Sequence, residues 1–574
     1  MTDRGPKGAT AIAAGLLLLL AACGGDGASE SDGAAEAAPG ADVASDGAPP
    51  LRFPTEGRRP RGEGPPRGEG SAATPTVQED SEQAPEVTDV RMTAEEAIDR
   101  TLTARVEAIV ASGVERARVA SSGAVTADSS AVAIVAVDAA TGRVILRRLS
   151  KVALAPASNM KLLTVAAALV TLGADGAFST RFESNAPVVG GVLDGDLVVR
   201  AGGDPMHRRE GDGSLDAWID PLAEALAREG IQRVSGTLVL DEGRWLEPGP
   251  GPQWPSPSEH WRDYCALAGG FSANGGCFRA TITPTAPGST ATVVLRPRNH
   301  GLTRKGRVTT EGRRIAVNVG ANRSGVTVRG KIRADASPYR TEFAHPDPVD
   351  LFGHAVVGGL AEHGIPIDGG FARARGHAVA DARSLHVVET PIQSVLEAIL
   401  LDSNNPVADQ LFLATGAAAT DGEGTRQASE KAVQDALARL GVDPRSLVQV
   451  DGSGLSKANQ TTAEQIAALV AAVVHQRGAL REAILAALPV AGQTGSLKNR
   501  MRGTVAEGRV RAKTGWIKGS SGLSGVVETL DGREVVFSIL VGYPMVDGMN
   551  TKAWKPMQDE ICTALVEWRA EASR

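Results

Sequence analysis

Pro156-Ala157-Ser158-Asn159-Met160-Lys161-Leu162 is the stretch on which the reading of this 574-residue chain turns. Pro156-Ala157 reads as the opening of a helix over 158–172, with Ser158 at its N-terminus. There, unpaired backbone N–H groups and the helix dipole favour developing negative charge. Lys161 follows three residues later, so a hydroxyl and an amine share one helix face a turn apart. That is the minimal geometry for a nucleophile beside its own base. The motif is weak by itself. Only twelve residues of the 60 Lys+Arg are lysine, yet roughly one Ser-x-x-Lys is still expected by accident in such a chain.

Two further motifs follow in order. Ser403-Asn404-Asn405 adds a second serine, and Lys513-Thr514-Gly515 adds a second lysine. A Lys-Thr-Gly tripeptide arises by chance in about 0.1 of such chains. Ser-x-Asn is less specific, because Ser272-Ala273-Asn274 also fits. Each residue has a plain structural alternative: a helix-start serine, a solvated helix lysine, a cap, or a strand-edge charge that blocks aggregation. Order, spacing and context carry the functional reading.

Outward from the motifs, the chain divides. Residues 131–138 and 143–149 read as paired strands around Ala139-Ala140-Thr141-Gly142. A helix is expected from about 93 to 111. Between 178 and 384 short β-like runs are broken by glycine, with helical interludes at 215–229 and 351–363. Residues 391–415 read as strongly helical around Ser403, and 428–440, 462–475 and 483–488 as further helices. Strands are expected at 509–514, 521–528 and 534–543, the last two joined at Asp531-Gly532, before a closing helix over 551–570. Sequence-distant motifs must converge, so 91–177 and 385–574 are expected to form one catalytic domain, with 178–384 a mostly β insertion of one or two subdomains.

The N-terminus carries a different signal. Arg4 and Lys7 precede an apolar run from Ala9 to Ala22, too short to span a bilayer and of the size of a signal-peptide core. The run ends Leu20-Ala21-Ala22-Cys23, which resembles a bacterial lipobox and predicts a signal peptide over 1–22 with Cys23 as the lipidated first mature residue. Cleavage after Ala22 with Cys23 a bystander is the other reading. Residues 23–90, rich in Gly, Ala, Pro, Ser, Asp and Glu, read as a flexible tether. Both readings predict export to the bacterial cell envelope. A lipid anchor would face the periplasm, and Gly24 in place of the Asp that marks inner-membrane retention favours the outer membrane. In that oxidising compartment Cys265 and Cys277, twelve apart across a Gly-rich stretch, are expected to form a local disulfide; the alternative is two small buried hydrophobes. Cys562 reads as core. The net charge of −7 and the absence of a basic stripe argue against a nucleic-acid binder, and no HExxH or paired CxxC suggests a metal or cofactor.

With these residues in place, the region from Ala131 to the C-terminus resembles the D-alanyl-D-alanine carboxypeptidase/endopeptidases, the class C low-molecular-mass penicillin-binding proteins. Beyond the three motifs, the resemblance rests on Gly202-Gly203-Asp204-Pro205, on Ala408-Asp409-Gln410-Leu411, and on Asp451-Gly452-Ser453-Gly454-Leu455-Ser456. Leu488-Pro489-Val490-Ala491-Gly492, Arg502-Gly503-Thr504 and Leu523-Ser524-Gly525 extend it. It implies an α+β fold: a penicillin-binding transpeptidase/β-lactamase-like domain, its antiparallel sheet flanked by helices and interrupted by a large mostly β insertion. It also implies hydrolysis of D-Ala-D-Ala bonds or cross-links in peptidoglycan peptides, and acylation by β-lactam antibiotics. By the same resemblance Ser158 is the nucleophile, Lys161 its base and Ser403 a proton relay. Asn405, Lys513, Thr514 and Gly515 bind substrate, and the backbone N–H groups of Ser158 and Trp516 form the oxyanion hole. Two departures stand out: Trp516 where the family has a small hydroxyl residue, and Gln493-Thr494-Gly495 where an Asp-Gly pair is common. A β-lactamase would need a water-activating Glu-x-x-Leu-Asn, which is absent. A non-catalytic wall-binding homologue would keep the pocket without turnover.

Overall fold

The computed structural model describes residues 97–570 apart from 207–217, 246–247, 378 and 477. The expected signal peptide, the lipidated Cys23 and the tether lie outside the described residues.

The apolar run Ala131–Asp138 is buried on both faces, and it is an interior strand of a five-stranded antiparallel sheet. The order across the sheet is Val144–Arg148, Ala131–Asp138, Glu534–Gly542, Ser520–Glu528, Val510–Ile517. The N-terminal hairpin thus pairs directly with the C-terminal strand, Ala131 opposite Gly542 and Asp138 opposite Val535. The Asp531-Gly532 turn brings Glu528 opposite Glu534, as a tight hairpin should. Lys513 lies within the edge strand rather than at its end.

Each face of the sheet has its own core. One face packs against Met160–Leu172, Ile392–Leu400, Asn405–Thr420 and Ala463–His475, all rich in Ala, Val and Leu. The other packs against Arg100–Ala120 and Lys555–Val566, where Met557, Trp554 and Phe537 are fully buried. The first of these helices runs nine residues beyond the expected end, because Gly113 and Ala117 continue the buried stripe of Leu102, Val106 and Val110. Gly113 is required there: a Cβ would sit 2.6 Å from Met557 Sδ.

The expected continuous helix over 391–415 is two helices. Ile392–Leu400 ends before Ser403, and Asn405–Thr420 begins after it, capped by the Asn404 side chain accepting from Val407 N–H at 3.1 Å. Ser403 itself has φ +61°, a left-handed conformation that helical periodicity does not reveal. Between these regions, residues Phe182 to Val388 gather a separate hydrophobic core around Phe278, Phe343, Phe352 and Trp218. The strands by which the chain leaves and re-enters the helical part, Ala177–Ser184 and Arg383–Pro391, lie side by side with Ala177 opposite Pro391.

The disulfide expected between Cys265 and Cys277 is not formed; both are buried free thiols. Cys277 opens a strand and packs with Ala266 and Ala344, the role of a small apolar side chain. Burial, followed by neighbouring carboxylates, pushes the Cys265 thiol up to about 12.

Candidate active site

The nucleophile turn is built by a backbone compromise. Ala157–Asn159 is a single 3-10 turn feeding the helix Met160–Leu172, and Ala157 takes φ +48°. Ser158 is only half-buried there, while every residue from Asn159 to Leu169 is buried. Lys161 is completely enclosed. Its Nζ donates to Ser158 Oγ at 3.0 Å, to Asn405 Oδ1 at 2.7 Å and to the Ser453 carbonyl at 2.8 Å. Burial lowers the Lys161 ammonium well below a solvated lysine, and the Asp409 and Asp451 carboxylates act the other way.

Lys513 reaches the same space from the edge strand. It too is fully buried, and its Nζ donates to Ser403 Oγ at 2.8 Å and to the Thr514 carbonyl at 3.0 Å. Burial first, and the Lys161 charge second, hold it well below the ordinary lysine range. The left-handed Ser403 is therefore aimed at Lys513, while Asn404 caps the next helix and Asn405 turns inward to Lys161. Three consecutive residues have three separate tasks. Asn405 Nδ2 also donates to the Tyr264 carbonyl at 3.1 Å, tying the 178–384 segment to the site. The Thr514 hydroxyl donates to Ser496 Oγ at 2.8 Å.

Glycines let the parts approach. Gly515 and Gly522 are paired across the edge strands, and a Cβ on either would lie within 2.5 Å of Asn159 Nδ2. The Asn159 side chain thus fills a notch in the sheet, holding the Ser158 turn against the strand that carries Lys513. Gly515 is a packing residue here, which adds to the substrate-binding place its motif suggested. Trp516, the next residue, is 46% exposed, and its indole N–H donates to Tyr543 Oη at 3.2 Å.

These bonds join Ser158, Lys161 and Asn405 in one group and Ser403 and Lys513 in a second, and the Lys161 charge felt by Lys513 and the continuous Ser403–Asn405 segment bring the two groups into one site. The motifs alone did not indicate Ser453, Ser496 and Tyr264, which enter through backbone carbonyls or a neighbouring hydroxyl. The only sequence signal for Ser453 was its place in the Asp451–Ser456 marker. Among the described residues no cluster of His, Cys, Asp and Glu is arranged to hold a metal.

A serine hydroxyl on a buried lysine of lowered basicity, with a second serine–lysine pair alongside, is the apparatus of a serine acyl-transfer hydrolase. The comparisons agree. The D-Ala-D-Ala carboxypeptidase 3 (S13) family model matches residues 117–567, and the chain belongs to that family. It is 33% identical over 455 residues to the D-alanyl-D-alanine carboxypeptidase of Actinomadura sp. (strain R39), covering 76% of this chain and 81% of that one. To the D-alanyl-D-alanine carboxypeptidase DacB of Haemophilus influenzae it is 25% identical over 405 residues, 68% of this chain and 81% of that one. The crystal structure of penicillin binding protein 4 from Haemophilus influenzae has the same fold, with a TM-score of 0.64 at 21% identity over 76% of this chain and 96% of that chain. The α+β penicillin-binding fold is thus established, and the protein is a serine-type D-Ala-D-Ala carboxypeptidase.

Proposed function

We propose that Ser158 Oγ attacks the carbonyl of the penultimate D-alanine of a peptidoglycan stem peptide, with Lys161 taking its proton. The C–N bond breaks, Ser403 passes a proton to the departing amine, and water then hydrolyses the Ser158 ester. Lys513 supplies positive potential for the substrate carboxylate, with the Thr514 hydroxyl sharing the contact, and Asn405 orients the peptide. The N–H groups of Ser158 and Trp516 receive the oxyanion. The observation that carries this reading is the 3.0 Å bond from a wholly buried Lys161 to the half-open Ser158 hydroxyl. The test is incubation with a fluorescent penicillin: the native chain should become covalently labelled and Ser158→Ala should not. A folded native chain that stays unlabelled would point instead to wall binding without turnover.

The reading extends to cross-linked peptides. In a strand, alternate side chains share a face, so Trp516 lies on the side of Thr514. An exposed indole there offers a surface to a leaving residue longer than D-alanine. Burying a methylene of that residue against it is worth about 0.8 kcal/mol. Trp516→Thr should therefore lower cross-link cleavage relative to D-alanine release by about 4-fold, measured as the ratio of the two kcat/KM values. An unchanged ratio would remove Trp516 from substrate selection.

The lipobox-like Leu20-Ala21-Ala22-Cys23 supports export and lipid anchoring at Cys23 on the periplasmic face of the outer membrane, with residues 23–90 as tether. The catalytic domain would then comprise 91–177 and 385–574, and 178–384 would be inserted subdomains.

A further inference from the structure

Two carboxyl groups are buried beside Lys161, and their surroundings differ sharply. Asp451 is saturated. Its Oδ1 accepts from Gly454 N–H at 2.7 Å and Asn459 Nδ2 at 2.8 Å; its Oδ2 accepts from Ser456 N–H at 2.8 Å and Trp254 Nε1 at 3.0 Å. Four donors compensate the burial of its oxygens. Asp409, from the helix Asn405–Thr420, is served by Ser453: its N–H donates to Oδ1 at 2.8 Å, and its hydroxyl assists. Asp409 Oδ2 is buried with no hydrogen-bond partner. The residue whose N–H donates to Asp409 also presents the carbonyl that accepts from Lys161 Nζ at 2.8 Å. Asp409 thus stands behind the amine, one residue's backbone away.

A bare buried carboxylate oxygen is costly, whereas a buried carboxylic acid is far less so. We propose that Asp409 is a positioning residue that sets the charge of Lys161: a buried carboxyl that shares one proton with that amine. Ammonium Lys161 with ionised Asp409, and neutral Lys161 with protonated Asp409, contain the same number of protons. Only the second arrangement has a free lone pair to accept the Ser158 proton. The inference rests on the Ser158–Lys161 reading above.

The charges around Asp409 fit this assignment. Burial and then the Asp451 carboxylate push its acid up, while Lys161 opposes them. Cys265, in the turn Asp263–Cys265, feels the Asp409 charge as well. Lys513 in turn feels the Lys161 charge. On the other helices packed on this one, Glu430 accepts from Gln449 N–H, Lys431 pairs with Asp435, Arg426 donates to the Gly249 carbonyl, Arg439 is exposed, and Glu397 accepts from Gln393.

The experiment is the pH dependence of penicillin acylation for the full chain and its Asp409→Asn variant. The amide keeps an acceptor for Ser453 N–H but can never be negative, so the ammonium form of Lys161 loses a stabilising charge. The rising limb of the rate should move to lower pH by roughly one unit, the smaller end of what a nearby charge imposes. Asp409→Ser, also uncharged, should move it in the same sense if the amide does not fold. A purely structural role would lower the rate at every pH and leave the limb in place; that result overturns the proposal. The native chain supplies a test without any variant. A protonated-carboxyl stretch in its infrared spectrum should persist at about pH 6, above the ordinary carboxylate range, and its absence would equally overturn the proposal. A native chain that never becomes acylated would instead remove the Ser158–Lys161 reading beneath it.

Discussion

Lys161→Met should fold and yet acylate with penicillin some 10²–10⁴ times more slowly than the native enzyme, the range associated with loss of a general base. Methionine approximates the length and volume of the lysine stem, so the buried space between Ser158, Asn405 and Ser453 stays filled. What is lost is the nitrogen 3.0 Å from Ser158 Oγ. In the native enzyme the rate should rise with pH. The ammonium form has no lone pair, and burial shifts its deprotonation below that of a free lysine. The methionine variant should lack that rising limb altogether. A variant acylated at the native rate, with the native pH profile, would exclude Lys161 as the base. A thermal melt on the same sample separates loss of chemistry from loss of fold.

Gly454→Ala should damage both. Gly454 has φ +81°, and a Cβ there would lie 1.9 Å from the Ala157 carbonyl oxygen and 3.1 Å from Met160 Cβ. Neither atom belongs to a flexible side-chain end; the first is backbone of the turn that presents Ser158. A left-handed alanine costs about 1–2 kcal/mol, and overpacking adds roughly 1–3 kcal/mol. The denaturation midpoint should fall accordingly, and penicillin labelling should collapse because the turn must shift. An unchanged midpoint with normal labelling would mean that the loop and the nucleophile turn are not held as tightly as their contact implies.

These two sites mark the limits of what the sequence discloses. The three motifs, the strands at 131–138 and 534–543 and the Asp531-Gly532 turn are legible because each depends on residues close together in the chain. The break in the helix at Ser403 is not. Local periodicity runs smoothly through Ile399, Leu400, Val407 and Leu411, and the left-handed Ser403 follows from tertiary demands. Contacts with Ser453 and Tyr264 are hidden for another reason: they use backbone carbonyls, which every residue has, from positions 292 and 141 residues away from their partners. The cysteine expectation failed because spacing and export describe opportunity; the local packing around Cys277 had already found an apolar use for it. Trp516 is visible as a departure, but its bond to Tyr543 required the fold.

The pairing of Ala131–Asp138 with Glu534–Gly542 has a consequence for timing. The strand that anchors the serine helix is an early part of the polypeptide, and its neighbour on one side is among the last to be made. A ribosome-bound, incomplete chain holds Ser158 and Lys161 on a segment that lacks both its sheet and Lys513. Closing so long a loop is slow, and it comes late by topology alone. Acyl-transfer reactivity therefore emerges only once the whole body has folded.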